Sequence, residues 1–231
     1  MFPTTSVLSE QLQPTQLGVG TPAGCEAALR AVRAYMVGCT TPKVILKIDL
    51  KNAFNSLRRD KILTAVREHI PEAFNFFHQA YSADSLLFYG QTTITSATGL
   101  QQGDPAGPAL FSLTIDELIK SLNAELNTWF LDDGTMGDTV DKVHIDLDNL
   151  LIGFPDLGAL LNDDKCELTT LNCTEEQRAQ IIHLFQLRLP AIKLIPPEQL
   201  DLLGSPLLDE GVPRMLQEKR DLLEHLGSRL A

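Results

Sequence analysis

Three aspartates stand where the sequence places strand ends, and such carboxylates can hold metal ions. Asp49 ends the apolar run of residues 44–50, and Asp132 and Asp133 follow the aromatic run of residues 128–131. Two magnesium ions about 3.5–4 Å apart need several oxygen anions on rigid elements, and adjacent strands of one sheet supply them. Taken singly, Asp49 is a strand-end cap and Asp133 with the following glycine is a turn signal. The aspartates therefore indicate metal chemistry only if other motifs accompany them.

A loop rich in glycine and proline lies between the two acidic positions. Residues 99–108, GLQQGDPAGP, hold three glycines and two prolines. Glycine permits unusual backbone angles and proline restricts them, so this composition fixes an irregular backbone. Such a backbone can approach a planar or phosphorylated ligand closely.

The three segments, in this order along the chain, resemble the palm of a reverse transcriptase, an RNA-directed DNA polymerase, of the non-LTR retrotransposon type. The segments are KNAFNS after Asp49, QQGDP in the loop, and DDGT after the aromatic run. Any one of these strings can occur by chance, but their joint occurrence in family order is specific. Weaker resemblances link residues 158–168 to the fourth palm segment, residues 202–207 to the primer-grip hairpin, and residues 16–24 to the segment that joins fingers to palm.

The resemblance implies a transferase that uses two Mg²⁺ or Mn²⁺ ions. In this reaction a primer 3′-hydroxyl attacks the α-phosphate of a deoxynucleoside triphosphate, with RNA as template and DNA as primer. Asp49 and Asp132 would ligate the metals with the Leu50 carbonyl, and Asp133 would complete the acidic cluster. Lys165 is similar in place to the lysine that protonates pyrophosphate, although a surface lysine is the ordinary interpretation.

The resemblance also implies a set of substrate-binding residues. Phe54 would be the steric gate that clashes with a ribose 2′-hydroxyl, although a core aromatic is equally consistent with the periodicity. Gln102 would lie along the template and the incoming base, and is otherwise a loop cap. Gly103 and Lys51 complete the predicted substrate-binding set.

Three carboxylates without a protein cation beside them should not all ionise normally. Like charges oppose joint ionisation, so we expect at least one of the three to have a raised pKa in the metal-free chain. The turn that carries Asp132 and Asp133 should be exposed at a cleft.

Strands alternate with helices along the chain, which predicts an α/β protein in the broad sense. With the resemblance, the expected fold is an α+β palm, split βαβ-like, whose mixed and mainly antiparallel sheet has helices packed on one face. We expect an extended lead-in over residues 1–20, the fingers–palm junction and palm over 21–198, and a primer-grip-like hairpin with the start of a thumb over 199–231. The predicted helices span about 22–36, 57–69, 72–82, 109–126, 139–151 and 213 onward, and Thr139 should cap the fifth of them. A further helix should begin after a capping box formed by Thr174 and Gln177. The predicted strands span 44–50, 166–171, 192–195 and 200–203, and hairpins are predicted for 85–96, with its turn at Gly90, and for 128–136, with its turn at Asp133 and Gly134.

The charge balance argues against nucleic-acid binding by bulk electrostatics. The formal net charge is −11, and residues 111–231 carry a surplus of 12 negative charges. Few phosphates would be neutralised, so we expect weak binding of a primer-template by the isolated chain. The alternative to a polymerase is therefore a truncated, catalytically inactive palm remnant that serves at most as an interaction module.

The cysteines and the apolar segments bear on location. Four cysteines without a CxxC pair indicate neither a disulfide framework nor a zinc ribbon. The sequence has no leader-like N-terminus and no run of 18 apolar residues, so we expect no membrane association. These features predict an intracellular protein and do not distinguish nucleus from cytoplasm.

Overall fold

The computed structural model describes the backbone of residues 5–230 and the side chains of residues 8–226. Within this range a five-stranded sheet lies at the centre, and two separate hairpins accompany it. The strands are β1 (Lys43–Ile48), β2 (Ser85–Tyr89), β3 (Thr92–Ser96), β4 (Leu126–Phe130), β5 (Asp133–Asp138), β6 (Glu167–Leu171), β7 (Lys193–Leu194), β8 (Asp201–Leu202) and β9 (Ser205–Pro206). The α-helices are α1 (Thr5–Leu12), α2 (Gly24–Gly38), α3 (Ala53–Ser56), α4 (Arg59–His69), α5 (Phe74–Tyr81), α6 (Gly107–Lys120), α7 (Val140–Leu157), α8 (Glu175–Gln186) and α9 (Val212–Leu230).

The central sheet has the strand order β4-β5-β1-β6-β7. Neighbouring strands are antiparallel from β4 to β6, and β7 pairs parallel with β6. The predicted fold class, an α+β palm with a mixed and mainly antiparallel sheet, is confirmed. The remaining strands form the hairpins β2-β3 and β8-β9.

Strand β1 shows why the sheet forms in this orientation. Val44, Leu46 and Ile48 alternate along the strand and are buried in the main core with the helices α4, α6 and α7. Ile45 points to the opposite face and packs in a second apolar cluster with α2 and the β8-β9 hairpin. Burying a side chain of this size contributes roughly 1.5–3 kcal/mol. Both faces of the central strand are therefore fixed by packing.

Helix α6 ends earlier than the sequence predicts. The apolar periodicity suggests a helix through residue 126, but the helix ends at Lys120 and β4 already begins at Leu126. The buried carboxylate of Asp146 accepts hydrogen bonds from the amides of Asn123 and Ala124 at 2.7–3.0 Å. Since this tertiary contact satisfies backbone donors, the chain can leave the helix and enter the sheet.

Helix α7 is longer than predicted and starts with a different cap. It runs to Leu157 because Phe154 is fully buried in the core, and it ends at Gly158, whose φ of 92° is left-handed. Thr139 is the N-cap residue but its side chain makes no capping hydrogen bond. The Asp138 carboxylate accepts from the Thr139 amide at 2.7 Å instead. The capping box predicted at Thr174 is present, with Gln177 as its partner.

The expectation of an extended segment over residues 1–20 is wrong for residues 5–12. Residues 5–12 form α1, which contacts α6, and Leu12 is fully buried. The helix forms because Leu8 and Leu12, one turn apart, both pack against the main core. Residues 1–4 lie outside the described part of the chain, and the two boundaries between the three predicted segments stay predictions.

Among the helices of residues 5–230, none has the length and apolar character required to span a membrane.

Candidate active site

The end of β1 and the start of β5 bring acidic residues together. Ile48 pairs with Gly134 in antiparallel register, so Asp49, which directly follows β1, and Asp133, the first residue of β5, lie at the same end of the sheet. Lys47 and Thr135 form the next pair along these strands. Because side chains two residues apart lie on the same face of a sheet, Lys47 and Thr135 share a face with Asp49 and Asp133. We call the pocket at this end, of about 250 Å³, the acidic cleft. Its lining residues are Lys47, Ile48, Asp49, Asp133, Lys165, Glu167 and Lys193.

The hairpin between β4 and β5 forms as predicted, but its turn lies elsewhere. Phe130 pairs with Asp133, which makes Leu131 and Asp132 the two turn residues. Gly134 lies inside β5, and a Cβ atom there would stand 2.5 Å from the Trp129 indole. The Asp-Gly pair is therefore not the turn, because the glycine makes room for a fully buried tryptophan. Asp132 is half-buried and Asp133 is exposed at the acidic cleft.

The carboxylates of the turn titrate abnormally. The pKa of Asp133 is raised to about 6, first by removal of water around the carboxylate and then by the charges of Asp132 and Asp49. Burial likewise raises the pKa of Asp132, with Asp49 adding to the effect. The predicted raised pKa is thus confirmed, although Asp133 remains accessible at the cleft and like-charge repulsion is the smaller cause.

Protein cations stand beside the acidic group, contrary to the expectation from sequence. Lys165 lowers the pKa of both Asp132 and Asp133, and Lys47 lowers that of Asp133. Lys47 also pairs with Glu167, with 2.5 Å between Nζ and Oε2. The two lysines therefore oppose part of the repulsion among the three aspartates.

Asn162 holds Asp49 in place, which the sequence did not indicate. Its side-chain amide donates to Asp49 Oδ1 at 2.8 Å, and its backbone amide donates to the Asp49 carbonyl at 2.8 Å. The Asn162 carbonyl accepts from the amides of Lys165 and Cys166, each at 2.9 Å. One residue thus ties an acidic ligand candidate to the turn that presents Lys165. The sequence feature that could have pointed to Asn162 is its position within residues 158–168, the segment that resembles the fourth palm segment.

A second pocket contains three of the predicted substrate-binding residues, one on α3 and two in the loop of residues 99–108. Phe54, Gln102 and Gly103 line a cavity of about 220 Å³, which we call the loop pocket. Phe54 is half-buried and stacks on Phe111 with ring centroids 4.6 Å apart. Gln102 donates to the side chain of Asn55 at 3.1 Å, and Gly103 has a φ of 87° that favours glycine. These contacts place one face of Phe54 against the core and leave the other at the pocket.

The two residues that follow Asp49, Leu50 and Lys51, do not line the acidic cleft. Lys51 lies with its Nζ 3.8 Å from the Asp163 carboxylate and lines a different pocket, together with Arg188. The Leu50 side chain is buried in the main core, and its backbone bridges to Leu161. Neither placement tests the predicted roles of Lys51 and of the Leu50 carbonyl, which stay predictions.

Buried Arg59 holds the loop against the hairpin β2-β3. Its guanidinium donates to the Gly99 carbonyl at 3.2 Å and to the Ser96 hydroxyl at 3.1 Å. Gly99 has a φ of 70° and packs so closely on Asn55 that a Cβ atom would stand 2.3 Å from its backbone. Sequence reasoning missed Arg59, because an arginine at the start of a helix is ordinarily a surface residue.

The acidic cleft has the donor chemistry of a divalent-metal site. Asp49, Asp132 and Asp133 supply hard carboxylate oxygens of the kind that Mg²⁺ and Mn²⁺ bind. The pKa shifts show that the three lie close enough to interact, but their oxygens do not all come within 4.8 Å of one another. Carboxylates repel each other when no cation lies between them. The residues thus fit the implied ions in chemistry.

Within the described side chains, a different group of three residues has potential metal-ligand atoms that all lie within 4.8 Å of one another. Glu68 and His69 at the end of α4 lie beside Glu117 on α6. His69 also shares a short hydrogen bond of 2.5 Å with Gln11. Both glutamates are exposed, and exposed acidic groups commonly cluster without a metal. This group is separate from the acidic cleft.

Sequence and structure comparisons identify the family. The family model described as Reverse transcriptase (RNA-dependent DNA polymerase) matches residues 4–207. The chain is 26% identical over 155 residues to the Retrovirus-related Pol polyprotein from type-2 retrotransposable element R2DM of Drosophila melanogaster, an alignment that covers 60% of this chain and 15% of that protein. It is 32% identical over 87 residues to the corresponding polyprotein of the type-1 retrotransposable element R2 of Popillia japonica, covering 35% and 14%. The chain thus matches about one seventh of the length of these relatives.

A solved structure shows the same fold. The apo telomerase of Candida tropicalis, truncated from the C-terminal domain, superposes with a TM-score of 0.54 and 13% identity, over 74% of this chain and 40% of that chain. At this identity the likeness concerns the fold alone. Because the family model covers most of the sequence and includes both acidic positions, the chain belongs to the reverse transcriptase family.

Proposed function

We propose that this chain carries the catalytic palm of an RNA-directed DNA polymerase, which transfers a nucleotide from a deoxynucleoside triphosphate to a primer 3′-hydroxyl. The observation that supports it most is the acidic cleft. Asp49 directly follows β1, Asp132 lies in the turn before β5 and Asp133 begins β5, so the three aspartates lie at one end of the sheet. Lys165 lies within interaction distance of both turn aspartates.

The proposed ligands of two divalent ions are Asp49, Asp132, Asp133 and the Leu50 carbonyl. When bound, such ions lower the pKa of an attacking hydroxyl and stabilise the leaving oxygen. Asn162 donates to Asp49 Oδ1 and so leaves the other carboxylate oxygen, Oδ2, for a cation. The raised pKa of Asp133 supports the proposal, because a carboxylate that is poorly compensated in the free chain gains most from a nearby cation.

Lys165 is the proposed general acid. The bond between the α-phosphorus and the bridging oxygen breaks as the primer oxygen bonds to phosphorus, the proton of the primer hydroxyl passes to water, and pyrophosphate leaves. A proton from the Lys165 ammonium would neutralise part of the charge that develops on this leaving group. The position of Lys165 in the lining of the acidic cleft supports this role.

The loop pocket is the proposed site of the incoming sugar and base. Phe54 is braced by Phe111, so its ring resists displacement when a ribose 2′-hydroxyl approaches. Gln102 and Gly103 line the same pocket and offer an amide side chain and an open backbone to the template and base. The proposed partners are thus an RNA template, a DNA primer and a deoxynucleoside triphosphate.

A primer-extension assay tests this proposal. The unmodified chain, supplied with an RNA template, a DNA primer and deoxynucleotides in Mg²⁺ or Mn²⁺, should lengthen the primer. Asp132→Asn removes one carboxylate charge from the group of three aspartates at the cleft's edge. It should reduce the rate by about a hundredfold or more, the usual scale for a group that stabilises transition-state charge. Asp141→Asn, at an exposed position in the first turn of α7, is the matched control and should retain the rate.

Two results would contradict the proposal. One is an unmodified chain that extends no primer with either metal while it is folded by circular dichroism. The other is equal rates for Asp132→Asn and Asp141→Asn, which would remove the acidic cleft from the reaction.

A further inference from the structure

Gln16 is a polar residue that is completely buried beside the hairpin turn of the acidic cleft. Its relative exposure is 0%, and its side chain bonds to the backbone of Leu131, the first residue of the turn. The side-chain amide donates to the Leu131 carbonyl at 3.0 Å, and its oxygen accepts from the Leu131 amide at 2.7 Å. The same oxygen accepts from the Gly18 amide at 3.0 Å. The side chain thus pairs with Leu131 as a neighbouring strand would.

The segment around Gln16 extends the edge of the sheet. Strand β4 is the edge strand of the described sheet, and residues 15–17 run beside it. The Trp129 amide donates to the Thr15 carbonyl at 2.7 Å, and the Leu17 amide donates to the Trp129 carbonyl at 2.8 Å. The Gln16 side chain continues these backbone hydrogen bonds beyond the end of the strand to Leu131.

Leu131 needs such support because its backbone is unfavourable. Its φ of 57° lies in the left-handed region, which is unfavourable for a residue with a Cβ atom. Strained residues of this kind persist where their surroundings fix them. Gly18 approaches so closely that a Cβ atom would stand 2.7 Å from the Leu131 nitrogen. Residues 16–18 therefore pack directly against Leu131 in the turn.

We infer that Gln16 is a positioning residue that fixes the turn bearing Asp132 and Asp133. It acts through Leu131, which directly precedes the two aspartates, and it contacts neither of them in the hydrogen bonds described above. This inference rests on the proposed function, because it assigns Gln16 to the placement of proposed metal ligands. Partners that orient metal ligands in this indirect way typically change metal affinity about 10–100-fold when they are removed.

Two substitutions separate positioning from bulk stability. Gln16→Met keeps an unbranched side chain of similar length and removes all hydrogen bonds to Leu131 and Gly18. Gln16→Glu keeps the acceptor and places a second carboxylate oxygen against the Leu131 carbonyl, where the amide donor was. Gln180→Met and Gln180→Glu, at an exposed position of α8, are the matched controls.

Three readouts are measured on the whole chain at a temperature where circular dichroism shows it folded. Mn²⁺ affinity by calorimetry should fall about tenfold or more in both Gln16 variants. Amide hydrogen exchange at Leu131 and Asp132 should accelerate about tenfold, while Met136 within β5 stays protected. In primer extension the kcat should fall about tenfold, and the KM for the deoxynucleotide should change by less than about threefold.

The outcomes distinguish this inference from the proposed function. Folded Gln16 variants with unchanged Mn²⁺ affinity and unchanged exchange at Leu131 overturn the positioning role. If Gln16→Met does not fold, Gln16→Glu decides by the same two measurements. A chain that binds Mn²⁺ but extends no primer contradicts the polymerase proposal alone, and Gln16 is still judged by affinity and exchange. An unmodified chain that binds no Mn²⁺ overturns both.

Discussion

The raised pKa of Asp133 makes the stability of the metal-free chain depend on pH in a defined direction. Its pKa of about 6 in the folded chain lies above the ordinary value of 3.8. Between these values the folded chain binds more protons than the unfolded chain, so the free energy of unfolding falls as the pH rises. The resulting destabilisation is absent below the unfolded pKa and complete above about pH 6.

The size of this effect follows from the shift and from the exposure of the side chain. A shift from 3.8 to about 6 corresponds to an upper bound of about 3 kcal/mol at 1.36 kcal/mol per unit. Asp133 is exposed at the acidic cleft, so water and salt screen much of its interaction with Asp132 and Asp49. We therefore expect a destabilisation of about 1 kcal/mol at neutral pH.

The test is Asp133→Asn, which removes the charge and keeps the shape. Urea unfolding without divalent metal should find the variant about 1 kcal/mol more stable than the unmodified chain at pH 7.5, with little difference at pH 4. Asp141→Asn, on the exposed first turn of α7, should show no such pH-dependent gain. Mg²⁺ at pH 7.5 should stabilise the unmodified chain more than the variant, because a ligand that binds the folded state adds to its stability.

Two observations would refute this reasoning. The first is a difference between Asp133→Asn and the unmodified chain that is the same at pH 4 and pH 7.5. The second is a variant that is less stable than the unmodified chain at pH 7.5, which would show that the ionised carboxylate has favourable partners in the cleft.

Two further predictions concern packing around the site. Gly134→Ala places a Cβ atom 2.5 Å from the buried Trp129 ring and should destabilise the chain by about 1–3 kcal/mol in urea unfolding. The control Gly38→Ala, where a Cβ atom would meet no atom within 4 Å, should change the stability by less than about 0.5 kcal/mol. Equal effects of the two substitutions would contradict the close packing at Gly134. Phe54→Val should lower the preference for deoxynucleotides over ribonucleotides by about tenfold in single-nucleotide extension, while Phe88→Val on the exposed hairpin β2-β3 should not; an unchanged preference would remove Phe54 as the gate.

Much of the architecture was determined by local sequence. The short β-branched apolar run that begins at Val44 predicts a largely buried strand, and β1 is largely buried. The capping box at Thr174 and the glycine between β2 and β3 predict the start of α8 and the hairpin. These features depend on neighbours within a few residues, so the sequence alone contains them. The order of the acidic and glycine-rich motifs along the chain likewise indicates the reverse transcriptase family.

Contacts between residues distant in sequence decided where some elements end and which residues hold the site in place. Asp146 binds the backbone amides of Asn123 and Ala124, 23 and 22 residues away in sequence, in the segment between α6 and β4. Trp129 packs against Gly134, which lies in β5 and not in the turn. Asn162 reaches Asp49 across 113 residues, and Gln16 reaches Leu131 across 115. No local pattern encodes such hydrogen bonds, because their partners become neighbours only when the sheet has formed. The sequence therefore supplied the candidate ligands of the acidic cleft, and the fold alone showed which residues hold them in position.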